Sequence, residues 1–333
     1  MSARRCSPGG KQFVSSGGVA SGATVFAFSL QTILSSGTAI GTILSNGQEE
    51  VSAGGTAIDT TLVLGGKEYV SAGGTDFGAL ISDTAYDQAY QYVYGVASGV
   101  TVFAGSQVVY SGGTALATTV ASGGWEIVSG SGFDSGARIS GGEQDVYSVA
   151  RGAVLSGGLQ VVEAGGTASG TTVNSDSGGG GEQDVSGLAV ATTVNGAKEQ
   201  VYSGGIASGT VLAGGGTENI KSGGTGISAV VRSGGVTVVS SGGSAMGDVV
   251  SSGGIEAVSG GFASGTTIKS GGTELVASGG TAVNDIISGG GTIVLGSGGA
   301  ASGGITFAGS GGTLEIVGTT MPTATIAASP PAT

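Results

Sequence analysis

Residues 271–290 read Gly-Gly-Thr-Glu-Leu-Val-Ala-Ser-Gly-Gly-Thr-Ala-Val-Asn-Asp-Ile-Ile-Ser-Gly-Gly, GGTELVASGGTAVNDIISGG. Three double glycines in twenty residues enclose short apolar stretches. Counted from Gly215, the first glycines of successive pairs fall at Gly215, Gly223, Gly234, Gly242, Gly253, Gly260, Gly271, Gly279, Gly290 and Gly298. The gaps alternate, 8, 11, 8, 11, 7, 11, 8, 11 and 8, so one short and one long gap make a unit of 18 or 19 residues. Pairs at Gly54, Gly65 and Gly73 start the same rhythm near the other end of the chain. Self-similarity at a fixed period of this length marks a stacked-repeat architecture.

Each half-repeat has its own pattern. The short half is x-[E/Q/T]-x-[V/I]-x-S-G-G, as in KEYVSAGG, TENIKSGG and TELVASGG. The long half is x-A-x-x-[T/D]-x-[V/I/L] before the next glycine turn, as in TAIDTTLVLGG and TAVNDIISGG. Runs of three to six β-branched or alternating residues between glycines are strand signals. A glycine pair every 8 or 11 residues leaves no room for useful helices. Short strands cannot bury a face alone, whereas successive turns stacked in parallel, about 4.8 Å apart, bury a continuous core. The expected fold is therefore all-β: a parallel β-solenoid (β-helix) of about 17 coils with a 19-residue period, roughly 80 Å long. Its corners fall on glycines where positive φ costs nothing, among them Gly223, Gly224, Gly234, Gly235, Gly242, Gly243, Gly253, Gly254, Gly271, Gly272, Gly279 and Gly280. The expected organisation is a non-repeat N-terminus over 1–10, the repeat domain over 11–317, and a linker or truncated tail over 318–333.

Composition agrees. Glycine supplies 74 of 333 residues, about 22 % against a usual ~7 %. Charged residues are only 10 % and mean hydropathy is +0.34, the reverse of a disordered chain. The net charge of −12 and the scattering of ten Lys and Arg leave no basic patch, so no nucleic-acid partner is expected. With no histidine and one cysteine, Cys6, the chain cannot build Ser-His-Asp or Cys-His catalysis, most transition-metal sites or an internal disulfide. No cofactor is expected. No stretch is apolar enough for a transmembrane helix, and MSARRCSPGGKQFV lacks the apolar core of a signal peptide.

The pattern breaks at Asp83–Gly99, DTAYDQAYQYVYGVASG, and around Gly130–Gly136 and Asp176–Gly187, which are expected to be longer corner loops. Tyr86, Tyr90, Tyr92 and Tyr94 make the first of these a possible ligand-contact loop, with core filling the competing reading. The acidic column Glu49, Glu68, Glu126, Glu218, Glu256 and Glu274 is expected to face solvent. Gln12, Gln144 and Gln160 occupy equivalent places and Thr237 interrupts, relieving like-charge repulsion between coils. Its functional alternative is a weak cation-binding stripe that millimolar Ca²⁺ would screen. The column Thr60, Thr118, Thr171, Thr210, Asp248, Thr266 and Asp285 is expected to bond the backbone near corners, with surface glycan acceptors as the alternative.

Specific chemistry finds little support. GGGGEQDV, Gly178–Val185, is a solitary and poor match to the calcium-binding nonapeptide repeat. GGKEYV places Glu68 after Lys67 where a P-loop needs Ser or Thr. G-x-S-x-G does not occur. An enzymatic β-helix acting on polysaccharide would need clustered carboxylates, and Asp83 with Asp87 is the only pair on offer, so no enzyme is expected.

Ala263–Ala282, ASGTTIKSGGTELVASGGTA, resembles the passenger repeats of the diffuse-adherence adhesin group of bacterial autotransporters, over roughly Lys11 to Val317. The resemblance implies a right-handed β-helix displayed at the surface of, or outside, a Gram-negative cell. It also implies a role in adhesion, autoaggregation or biofilm formation, and glycosylation of Ser and Thr in some members. Partners would be a second copy or a carbohydrate or protein of a cell surface. The end, TLEIVGTTMPTATI, Thr313–Ile326, looks like the exit from such arrays in large secreted proteins, where a Hedgehog/intein-like (Hint) domain follows. A C-terminal translocator barrel and a Hint-type nucleophilic cysteine are missing, so the chain is expected to be a passenger fragment. A rigid spacer stalk for a missing domain is the alternative function.

Overall fold

The computed structural model describes residues 5–6, 9–83, 88–176, 180–317 and 323–328. All regular structure there is β, wound as a parallel solenoid of about 16 turns with a period near 19 residues. Two compact units divide the chain at residues 161–169.

The coil that contains Gly271–Gly290 shows how the repeat works. Three strands, Thr273–Ala277, Thr281–Val283 and Ile286–Ser288, give one rung to each of three strand columns. Every rung pairs in parallel with its counterpart a coil away: Glu256 with Glu274, Ala263 with Ala282, Ile268 with Ile287. Alternation along the strands sends Glu274, Val276, Ala282 and Ile287 inward, while Leu275 stays 40 % exposed. The same columns of Val, Ile, Leu and Ala fill the second unit from Val201 to Ile305. In the first unit they run through Val14, Ile33, Val51 and Val70, and through Val25, Leu44, Leu62 and Ile81.

The two glycines of a pair do different things. At the corner before Thr273, the Gly272 N–H donates to Lys269 C=O at 2.8 Å. Gly271, third residue of that turn, has φ +72°, the position a type II turn reserves for glycine. Its own N–H donates to Gly290 of the next coil at 2.9 Å, so the ladder continues through the corner. Gly272 is needed for a different reason, because a Cβ there would stand 2.5 Å from Val250 O of the coil beneath.

The irregular stretches have simple origins. Around Gly130–Gly136 there is no long loop: Phe133–Ser135 pairs in register with Thr114–Leu116. The polar residue of the first column advances by 23 residues from Glu68 to Gln91, and only 16 from Gln91 to Gln107. The long step contains residues 83–88. The short step arises because Thr101–Val109 is one nine-residue strand that serves two columns without a glycine pair between them. Its one bend falls at Gly105, φ +102°. Two further short strands, Arg5–Cys6 and Thr325–Ala328, pair with the third column. Among the described residues no helix is long and apolar enough to cross a membrane.

Candidate functional site: an interior polar ladder and an exterior tyrosine stack

The acidic column faces inward. Glu49, Glu68, Glu126, Glu218, Glu256 and Glu274 all have 0 % exposure, and Glu199 joins them. The expectation of a solvated stripe is therefore wrong, and with it the idea that Ca²⁺ screens the column at the surface. The physical reason is parity: the Glu lies two residues before the inward Val or Ile of its strand, hence on the same side. In the first unit, parallel register places Gln31, Glu49, Glu68, Gln91, Gln107, Glu126 and Gln144 one above another. In the second, the order from Gln183 is Glu199, Glu218, Thr237, Glu256 and Glu274, ending at Ile293.

The Thr/Asp column is buried beside it. Thr60 Oγ1 donates to Glu49 Oε2 at 2.9 Å, Thr118 to Gln107 Oε1 at 2.9 Å, and Thr210 to Glu199 Oε2 at 2.8 Å, each eleven residues on in the same coil. These hydroxyls bond side chains rather than corner backbone, and their burial removes them as glycan acceptors. Asp248 and Asp285 replace Thr in the second unit. Each uses Oδ1 to accept a backbone N–H, from Ala229 and Thr266 respectively, both at 2.9 Å.

A compound motif that the sequence reading missed occurs twice in the first unit. Asp76 takes the place of alanine in the second column, eight residues after Glu68, and is fully buried. Gln91 of the next coil donates through Nε2 to both, Glu68 Oε2 at 2.8 Å and Asp76 Oδ2 at 2.9 Å. Glu126, Asp134 and Gln144 repeat this, with 2.7 and 3.0 Å. Gln160 then donates to Gln144 Oε1 at 2.6 Å. The signal was available: an Asp where the repeat calls for Ala, followed one coil later by Gln at the ladder position.

No Lys or Arg is buried among the described residues, so no cation neutralises these carboxyls. Burial, with neighbouring carboxyls adding to it, holds Glu68, Glu126, Glu218, Glu256 and Glu274 well above the usual carboxylate range. Burial pushes Glu49, Asp76, Asp134 and Glu199 up to about 7. Such a setting favours the neutral acid over the carboxylate, because an ion pair or a fully hydrogen-bonded ion is not available to it.

Outside the first unit's first column lies the tyrosine group. Tyr90 and Tyr92 are strand residues, on Tyr90–Val93, rather than loop residues, and Tyr94 follows the strand. Tyr86 and Asp87 lie outside the described residues. The rings stack: Tyr69 on Tyr92 at 5.0 Å, Tyr90 on Tyr92 at 5.6 Å, Tyr92 on Tyr110 at 6.2 Å, and Tyr94 on Tyr110 at 5.0 Å. Their faces are turned to one another, so Tyr92, the centre, is held from both sides. Tyr92→Ala is expected to cost about 2 kcal/mol, the sum of three such contacts, and to abolish the near-ultraviolet circular dichroism of the stack. Tyr92→Phe is expected to keep the stability. Equal losses in both variants would mean that the hydroxyl, not the stacking, matters.

Asp83, the other half of the only candidate catalytic pair, caps the preceding coil: its Oδ1 and Oδ2 accept the N–H groups of Leu64 and Gly65 at 3.1 and 3.0 Å. Outside the core the polar side chains pair from coil to coil, as Trp125 Nε1 does with Glu143 Oε2 at 3.0 Å and Asn195 Nδ2 with Asn174 Oδ1 at 3.1 Å.

What the fold and its interior define is a parallel β-solenoid with a hydrogen-bonded carboxyl–amide–hydroxyl ladder in its core. No family model matches the chain, and no curated protein matches it. Among solved structures, it is similar to the TibC-catalysed hyper-glycosylated TibA 55–350 fragment: 27 % identity, 95 % of this chain and 94 % of that chain covered, TM-score 0.46. At that score the likeness adds nothing to the fold or the function, which rest on the coil register and the side chains above.

Proposed function

We propose that the chain is a surface-displayed structural and adhesive solenoid, acting through its repetitive outer faces and not through a catalytic pocket. The observation that supports this reading is where the chemistry points. The carboxyls and amides of the ladder are consumed inside the solenoid, while the exterior repeats short side chains and single apolar residues such as Ile255, Phe262 and Leu275. A rigid, regular face of this kind suits self-association or binding of a cell-surface carbohydrate or protein. The setting we propose is the outside of a Gram-negative bacterium, with the repeat domain spanning 11–317. The Tyr90, Tyr92 and Tyr94 ridge is the first place to test for partner contact.

The test is display of residues 11–317 on cells through an unrelated outer-membrane anchor, scoring cell settling and attachment to surfaces. Aggregation or attachment above that of an unrelated rigid carrier of equal length is expected. Behaviour identical to the carrier would leave the spacer-stalk reading in its place.

A further inference from the structure

In the second unit the ladder has a segment that no amide bridges. Between Thr237 on one side and Ile293 on the other, Glu256 and Glu274 stack in register, flanked by Asp248 and Asp285 from the neighbouring column. Thr266 stands between the two aspartates. All four carboxyls are at least 99 % buried. Both oxygens of Glu256, both of Glu274, Asp248 Oδ2 and Asp285 Oδ2 have no hydrogen-bond partner when counted as acceptors. The other aspartate oxygens accept the Ala229 and Thr266 N–H groups. The remaining ionisable groups that face the cluster are also acids: Glu218 stands against Asp248 and Glu256, and Glu199 against Glu218. Lys221, Arg232 and Lys269, the basic residues of the adjoining coils, are exposed.

Six orphaned carboxyl oxygens, with the single Thr266 hydroxyl among them as a donor, require either a cation or protons. A cation needs its ligands to converge on one point. Among the described residues no group of three or more acidic side chains does so. A proton needs only two oxygens side by side, which is what carboxyls stacked coil on coil provide. We propose that this cluster is a proton-binding site, and that the solenoid takes up protons as it folds, so that acid closes the array and alkaline solution loosens it from within. Each O–H then donates to a neighbouring carboxyl oxygen, and the orphaned acceptors become pairs.

Burial pushes Asp248 up to about 7 and Asp285 to about 6, and holds Glu256 and Glu274 well above the ordinary range. Carboxyls whose folded-state values are raised contribute stability that is fully present below the unfolded value, near 4. That stability is lost as pH rises through 6 and 7 and beyond. Each extra proton held by the folded chain lowers the folding constant about tenfold per pH unit across that window.

The experiment is urea unfolding of the full chain from pH 4.5 to 8.5, followed by β-type circular dichroism, for the native sequence and for Glu256→Gln with Glu274→Gln. Glutamine fits the site, since Gln107, Gln144 and Gln183 hold the same ladder position in other coils. The native folding constant is expected to fall at least about 100-fold from pH 5 to pH 7, and the double variant to lose at least about tenfold of that dependence. High salt is expected to leave the interior effect, because screening acts on exposed charge. A flat native profile, or an unchanged slope in the variant, would overturn the proposal. So would restoration at pH 8 by submillimolar Ca²⁺ but not by matched NaCl. Should the double variant not fold, the infrared band of protonated carboxylic acid at pH 7 is compared between the native chain and Glu274→Gln alone: a smaller band in the variant supports the proposal, and an unchanged or absent band overturns it.

Discussion

Gly280→Ala is expected to lower the melting temperature by roughly 6–12 °C, a loss of about 3 kcal/mol. A single methyl group does this because of where it would stand. The Cβ of residue 280 would lie 2.3 Å from Val258 O and 2.8 Å from its carbonyl carbon, both backbone atoms of the adjacent coil. Neither can rotate away. Relief requires the coils to separate locally, which weakens the hydrogen bond from the Thr281 N–H to Gly261 O, 3.0 Å, and those that follow it. In a stacked repeat the damage is passed to the nearest neighbours and not averaged over the molecule. The matched control is Gly279→Ala. Residue 279 has φ +83°, and its Cβ would meet nothing nearer than Gly260 Cα at 4.0 Å. Its cost is the left-handed backbone alone, about 1–2 kcal/mol. Thermal unfolding of the two variants side by side checks the argument, and equal losses would show that φ, not the close approach of coils, decides both positions.

Gln144→Leu is expected to cost about 3–5 kcal/mol, although leucine is nearly the right size and more apolar. Gln144 Nε2 is the shared donor to Glu126 and Asp134, and its Oε1 accepts from Gln160. Leucine would leave two buried acceptors and one buried donor unmet, and unmet groups cost more than the bonds contributed. Gln144→Glu separates donor loss from shape. It keeps the volume and, when protonated, offers one O–H in place of the amide. It should approach native stability near pH 5 and lose much of it by pH 8, as three buried carboxyls compete for protons. Denaturant titration at the two pH values reads this directly. A Gln144→Leu chain as stable as the native one would mean that the bridge is replaced by rearrangement of its neighbours.

The corners and the strand order could be read from glycine spacing alone, because a double glycine every 8 or 11 residues leaves few ways to wind the chain. The direction of the side chains is equally available, but polarity and strand parity point opposite ways. In Thr273-Glu274-Leu275-Val276 the polar Glu and the apolar Val share one face, and Thr and Leu share the other. Judged by polarity, Glu274 belongs outside and Leu275 inside. Judged by parity from the invariant Val or Ile two residues later, Glu274 must be inside, as it is. Polarity is a preference, whereas alternation along a strand is geometry, and geometry wins when a buried acid can be protonated or bridged. The missing glycine pair makes the tyrosine stretch read as a loop. The missing pair reflects added length around residues 83–88 and the uninterrupted Thr101–Val109 strand that follows, while Tyr90 and Tyr92 keep their ordinary rungs.

The apolar columns are nearly interchangeable from coil to coil, since one Val or Ile rests on another almost anywhere. The carboxyl–amide pairs are not. Glu68 Oε2 and Asp76 Oδ2 find their shared donor only in a following coil that presents Gln91. Were the array to lengthen by duplication of a single coil, copying the Glu68 coil without its successor would set two Glu–Asp pairs against one bridging amide, a heavier acid load than the Glu49–Glu68 step the chain already carries, whereas copying the two together keeps one amide for each pair. The inheritable unit of growth in this chain is therefore longer than its structural repeat, and recombination between coils is expected to leave adjoining Glu–Gln pairs intact.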